Sequence, residues 1–446
     1  MKLSLPAWFG LAAALFTQSG CRPESDPAAP RPAAAAPEER AGGGLRLDPC
    51  VLALAPHSGT NRLDLEIIRL QQEAAKSPQP QLLIERLGWL YVRQARVSFD
   101  PGFYKLAEQC ALCLDAKQPG SLEARLLRGH ALQNMHRFKE AEPLARALVA
   151  QRGAPFDHGL LGDVLLEIGQ LDAAIGSYQK MMELKPDLHA YARAAQVRWL
   201  KGDADGASEA MQLAADAASP QDAESAAWAC SRLAFYQWHA GRPAEARKAI
   251  ATARQWQADY PPALLLLGRL LLGEDQSAAA VEPLQRAAQL NPLPEYQWAL
   301  AEALRAAGRA GEARPVEDEL NRTGASHDPR TYALYLATRR EQPDRALQLA
   351  QAELQTRGDL FTHDALAWAF AATGRWHEAR THSRRALAEG TADARLFLHA
   401  GVIAAHSGQR DEARDWFEKA RARGQLLLPS ERAELRRAAS DPVSKN

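Results

Sequence analysis

A small residue returns along this 446-residue chain about every three dozen positions, and few folds can use such a pattern. Gly88, Gly129, Gly162, Ala195, Ala234, Gly268, Ala301, Leu334, Ala367 and Gly401 stand 41, 33, 33, 39, 34, 33, 33, 33 and 34 residues apart, and only Leu334 breaks the size rule. Twelve residues behind nine of these marks runs a second column: Ala141, Ala174, Ala207, Ala246, Ala280, Ala313, Ala346, Ala379 and Ala413. Paired small residues are what two antiparallel helices need at their closest crossing, because a larger side chain would hold the backbones apart. One hydrophobic core rarely serves a chain of this length, whereas an array that grows by stacking has no such limit.

The segment Gly159 to Pro186, GLLGDVLLEIGQLDAAIGSYQKMMELKP, shows the whole unit. Leu161, Gly162, Leu165, Gly169, Ala174, Tyr178 and Pro186 fall at the spacings of the tetratricopeptide consensus. Gly169 allows the left-handed conformation that ends the first helix, and Pro186 stops the second. The turn glycine returns as Gly202, Gly241, Gly308, Gly374 and Gly408, and repeat-ending prolines as Pro261 and Pro292. From about Leu82 to Arg423 the chain resembles the tetratricopeptide-repeat family, with room for a half-repeat at Asp64 to Ala75. That resemblance implies an all-α fold, a right-handed superhelical solenoid of about ten helix-turn-helix repeats. The two long steps call for insertions: Val97 to Tyr104 as a widened loop inside the first repeat, and Ser219 to Glu224 as a turn between repeats. Leu334 in the small column, and His136 and Glu341 at turn-glycine positions, predict less regular repeats. A polar helix from Ser430 to Ala439, after Pro429, should cap the last repeat against water.

Composition agrees. Ala, Leu, Arg, Glu and Gln dominate, all strong helix formers, while Val, Ile and Thr are scarce. Lys plus Arg and Asp plus Glu number 54 each, which leaves no net positive field for a phosphate backbone and argues against a nucleic-acid partner.

The N-terminus reads as a targeting segment. Leu5 to Phe16 is apolar, follows Lys2, and is too short for the roughly 20 residues of a membrane span. Ser19 and Gly20 directly before Cys21 resemble the bacterial lipobox, although Gln18 stands where an aliphatic residue is usual. That resemblance implies cleavage of residues 1–20, acylation of Cys21 and tethering to a membrane through the lipid. A plain cleaved leader and an uncleaved anchor are the alternatives, and all three export the chain to the bacterial envelope, with the lipid-anchored form facing the periplasm. Residues 21–60 read as a Pro/Ala/Gly-rich linker and irregular lead-in, 61–423 as the array, and 424–446 as capping helix and tail.

In the resembled family the first helix of each pair lines a concave groove. Carried over by position, the groove comprises Trp89, Arg93, His130, Asn134, Asp163, Glu167, Gln196, Trp199, Phe235, Trp238 and Arg269, with Trp298 further on. Aromatics mixed with polar hooks suit a protein or peptide ligand. The plainer reading makes the tryptophans packing residues and the polar set solvated surface.

No catalytic, metal or cofactor set emerges. In His377-Glu378-Ala379-Arg380-Thr381-His382 the histidines are five apart rather than the four a zinc-binding helix face requires. Cys110 and Cys113 have CxxC spacing but no second pair, and they read first as small buried apolar residues. A disulfide among Cys50, Cys110, Cys113 and Cys230 is the next option in an exported chain. The histidines at 363, 377, 382, 399 and 406 read as surface or groove residues. The expectation is thus a non-enzymatic, exported scaffold without cofactor; an envelope maturation factor or enzyme using a metal or thiol in the repeat body is the alternative.

Overall fold

The computed structural model describes residues 48–440; the leader, Cys21 and most of the Pro/Ala/Gly segment lie outside them. A short helix α1 (Pro49–Ala53) and a 15-residue α2 (Arg62–Lys76) come first, and then ten helical hairpins. The first pairs α3 (Gln81–Ser98) with α4 (Gly102–Lys117). Next come α5 (Leu122–Asn134) with α6 (Phe138–Gln151), α7 (Pro155–Glu167) with α8 (Leu171–Leu184), and α9 (Leu188–Leu200) with α10 (Ala204–Asp216). Then follow α11 (Ala223–His239) with α12 (Pro243–Trp256), α13 (Pro261–Gly273) with α14 (Ser277–Leu290), and α15 (Pro294–Ala306) with α16 (Ala310–His327). The last three join α17 (Pro329–Arg339) to α18 (Pro343–Leu354), α19 (Leu360–Ala372) to α20 (Trp376–Leu387), and α21 (Ala394–His406) to α22 (Arg410–Arg421). A 3-10 turn at Gly424–Leu426 leads into α23 (Pro429–Ala438), and no strand occurs among the described residues.

Local chemistry sets these boundaries. Pro at the first helical position opens α7, α12, α13, α15, α17, α18 and α23, where a missing N–H costs nothing. Aspartate side chains at 187, 203, 222, 359 and 393 cap the free amides of α9, α10, α11, α19 and α21. The turn glycines adopt positive φ, from +74° to +83°, so that the amide two residues past each first helix reaches back to its last turn.

The small columns sit where the sequence requires. Each alanine of the second column is at most 1% exposed. A methyl group at Gly162 would meet the Tyr178 ring at 2.3 Å, and one at Gly268 would meet Leu284 at 2.2 Å. The core is therefore a ribbon between the helix layers, continuous from Leu171 to Leu435, with two smaller clusters serving the hairpins before it. Stacked hairpins of this kind form an all-α, superhelical solenoid with a tetratricopeptide-like repeat.

Several expectations need correction. The extra residues of the first long step lengthen α3 and α4 and leave only Phe99 to Pro101 between them, instead of widening the loop. At the second long step a loop from Ala217 to Asp222 is joined by a 17-residue α11. His136 takes the left-handed conformation (φ +58°) in place of glycine; in the eighth hairpin Arg340 and Gln342, not Glu341, carry the positive φ. Cys113 is not a free apolar residue: it is disulfide-bonded to Cys50, which fixes α1 onto α4, while Cys110 and Cys230 remain free and buried. Within the lead-in, Pro49–Ala53 forms the short helix α1.

A further feature had no sequence signature. The ends of early first helices touch loops five hairpins further along. The Gly358 amide donates to the Glu167 carbonyl (2.9 Å), and the Arg357 guanidinium holds the Glu167 carboxylate at 2.6 and 3.1 Å. One hairpin on, Thr391 donates to the Leu200 carbonyl and Lys201 Nζ lies 2.6 Å from Glu389. The C-terminal segment continues this contact: Arg269 and Arg432 donate to the carbonyls of Leu426 and Leu272, and the Ser430 amide to Glu302. Successive turns of the superhelix are thus in contact, and α23 reaches back to α13 and α15 as well as covering the last hairpin.

Candidate functional site

Turn-to-turn contact narrows the inner side without closing it. Three cavities lie along it, of about 850, 730 and 150 Å³. The first two share Leu166, Glu167, Gln196, Trp228 and Arg232; the second and third share Arg269, Glu295, Arg330 and Phe361. They form one hollow, and Leu428 of the C-terminal segment lines its last compartment.

The structure brings ten of the eleven expected groove residues to this lining. Trp89, Arg93, His130, Asn134 and Asp163 line the first compartment, Glu167 and Gln196 the junction, and Trp199, Phe235 and Arg269 the second. Trp238 is the exception. It is 3% exposed and lies beneath the Arg269 guanidinium, 5.8 Å from ring centroid to Cζ. Trp298 is 2% exposed, with its indole N–H donated to Glu302, yet it borders the third compartment. Trp199 is a mixed case: it borders the hollow but is 6% exposed and stacks on Phe361 of the next turn, with ring centroids 5.6 Å apart. The packing reading holds for Trp238 and Trp298 and for most of Trp199.

Position counting missed lining residues that reach in from other helix faces or from the next turn: Trp228, Arg232, Arg193, Arg330, Phe361 and Arg385. Arg193 and Arg232 each stand two residues before their register marks, Ala195 and Ala234, so a wider helical arc would have found them. Phe361 and Arg385 enter through long-range closure, which local spacing does not encode.

The electrostatics are lopsided in a way that net charge hides. All six lining carboxylates are engaged. Asp163 pairs with Arg193 (2.5 Å), Glu167 with Arg357 (2.6 Å), Glu224 with Arg96 (3.3 Å), Glu295 with Arg269 (3.2 Å), Asp359 with Arg330 (3.0 Å) and Glu389 with Lys201 (2.6 Å). Of the eight lining arginines, Arg93, Arg232 and Arg385 have no carboxylate within 4.0 Å among the described residues. Arg232 instead lies over the rings of Phe235 (4.7 Å) and Tyr236 (5.0 Å) and donates to the Tyr236 hydroxyl at 2.8 Å.

The lining histidines are neutral at pH 7. Desolvation lowers His130 to about 4, with Arg96, Arg193 and His189 opposing its charge and Asp163 favouring it. Burial and then Arg385 lower His363, while burial, His363 and Arg385 lower His382, and their Nδ1 atoms are 3.0 Å apart. His399 is buried on Asp364 and stacked on Trp368, His406 stacks on Trp376, and His377 is exposed. The near-HExxH pair is therefore not a pair in space, and no group of three metal-ligating side chains occurs among the described residues. Burial raises both free thiols, Cys110 strongly, the reverse of what an activated nucleophile requires.

Fold and hollow define a solenoid of tetratricopeptide-like hairpins. No protein-family model matches the sequence, and no curated protein does. Among solved structures, the human IFIT1 dimer with PPP-AAAA is similar at 11% identity and a TM-score of 0.45, over 84% of this chain and 93% of that one. The Cut9–Hcn1 hetero-tetramer of APC/C is similar at 12% identity and a TM-score of 0.35, over 85% and 96%. At such identities and TM-scores the likeness carries no argument about ligands or partners.

Proposed function

We propose that the protein is an exported, membrane-tethered scaffold that holds a segment of another protein in its hollow. The observation that carries this reading is the hollow itself: adjoining, part-open cavities lined by aromatic and arginine side chains, with no group of three metal-ligating side chains among the described residues. Sites that combine apolar walls with a few placed polar groups are suited to binding. Export is supported by the Cys50–Cys113 disulfide, because such bonds persist in oxidising compartments such as the periplasm. No helix among the described residues is long and apolar enough to cross a membrane, so attachment falls to the N-terminal segment, with Cys21 as the acylated residue.

A photo-crosslinking residue at Gln196, which borders both large compartments, should trap a partner in native envelopes, whereas one at exposed Gln212 should not. Equal or absent capture at the two positions would defeat the scaffold reading. Labelled palmitate should enter the wild-type chain and not Cys21→Ser; label retained in the variant would defeat the lipid anchor. The maturation-factor alternative gains no support from the buried thiols, and a stoichiometric transition metal in the purified protein would revive it.

A further inference from the structure

The charge pattern of the hollow specifies the chemistry of its occupant. Inward carboxylates are all matched, while three guanidiniums are not: Arg93 in the first compartment, Arg232 at the junction and Arg385 in the second. Arg93 and Arg232 are half-buried and Arg385 is exposed; each keeps guanidinium donors free of any carboxylate, and the strongest partner for such donors is a carboxylate or phosphate held by two parallel hydrogen bonds. Arg232 is the best prepared of the three. Phe235 and Tyr236 lie against its plane and Tyr236 fixes one Nη, so little side-chain freedom remains to be lost on binding.

We propose that the hollow receives an extended acidic segment of a protein, with Arg93, Arg232 and Arg385 each taking a separate carboxylate and the aromatics between them taking apolar side chains. This rests on the scaffold reading and narrows it to a ligand class. A nucleic-acid strand shares the anionic chemistry but suits the lining less. It carries a phosphate at every nucleotide, whereas the free cations are only three, lie in different compartments, and alternate with six fixed carboxylates that would repel a dense row of charge. No lysine lines the compartments. Sparse acids separated by aliphatic or aromatic residues complement a lining that mixes three free cations with rings.

The test is selection of a random dodecapeptide library on the intact disulfide-bonded protein, repeated on Arg232→Gln and on Arg322→Gln, an exposed arginine outside the hollow. Selected peptides should be enriched in Asp and Glu spaced by apolar residues. A chosen peptide should bind Arg232→Gln at least tenfold more weakly and Arg322→Gln as it binds wild type, with unchanged helical circular dichroism in both. It should also lose affinity when its acids become amides, and a single-stranded oligoadenylate should not displace it. Selection of neutral or basic peptides whose affinity ignores Arg232 would overturn the acidic specificity and leave the scaffold standing. Displacement by oligoadenylate at comparable concentration would overturn it in favour of nucleic acid. Failure to select any peptide would overturn both readings.

Discussion

Gly169 and Gly202 each meet two demands that the other turn glycines meet singly. All hold positive φ, which costs a residue with a Cβ about 1–2 kcal/mol. At Gly374 and Gly408 a methyl would meet nothing within 4 Å, so Ala there should cost about that amount. At Gly169 a methyl would lie 2.3 Å from the Gly358 carbonyl oxygen, and at Gly202 2.5 Å from that of Gly390, so the next turn must shift as well. Overpacking of this kind adds roughly 1–3 kcal/mol. Urea midpoints should therefore rank Gly169→Ala and Gly202→Ala well below Gly374→Ala and Gly408→Ala, and equal midpoints would contradict the close approach. His130 makes a second prediction at this scale. Its folded pKa, about 4, lies below the ordinary value of roughly 6.5, so between these values the unfolded chain takes up a proton that the folded one refuses. Stability should be fully present above about pH 6.5 and fall as pH drops toward 4. His130→Gln should flatten that slope in urea titrations, and an unaltered slope would show that the residue is not desolvated.

Single helices explain what could and could not be read in advance. The hairpins were legible because closest approach admits only Gly or Ala, and because a helix must stop where Gly169 or its counterparts turn the backbone; both restrictions are local. The lining was mostly legible for the same reason, since the first-helix position that faces inward repeats with the hairpin. Trp238 failed because Arg269 of the next first helix lies over its ring and leaves it 3% exposed. The Cys50–Cys113 bond was not legible because spacing does not fix pairing. Its role is open to test at the scale of the elements it joins. Closing a loop across 63 residues removes unfolded-state entropy. For a loop of that size this amounts to about 4 kcal/mol. In a stacked array the effect should stay near the bond, since each hairpin contacts chiefly its neighbours. Reduction, or Cys50→Ser, should raise hydrogen exchange in α1, α2 and the first hairpin while α13 to α22 keep their protection; uniform loss throughout would mean that the array unfolds as one unit.

Turn-to-turn contact narrows the hollow, which stays part-open to solvent, and Arg357 is the best-buried ionic member of that contact. The side chain is 7% exposed, holds Glu167 across the turn, approaches Glu353 and Asp359 at 3.7 Å, and lies over the Phe138 ring at 5.5 Å. Arg357→Ala would leave Glu167 without a counter-ion and remove one of two positive neighbours from Asp359. Breaking such a buried pair costs about 3–5 kcal/mol. Because the hairpins on either side keep their own cores, that loss should fall on the contact between turns before it reaches the helices. The Gly358 amide, bonded to Glu167, should exchange much faster in the variant, while amides within α7 and α19 should change little. Adding Thr391→Val and Lys201→Ala, which remove the neighbouring contact at Leu200 and Glu389, should extend the loss of protection along the seam. If the hollow is entered sideways, an acidic peptide should then associate faster with the triple variant than with wild type. An association rate unchanged by an opened seam would instead mean that the segment threads in from the end of the solenoid.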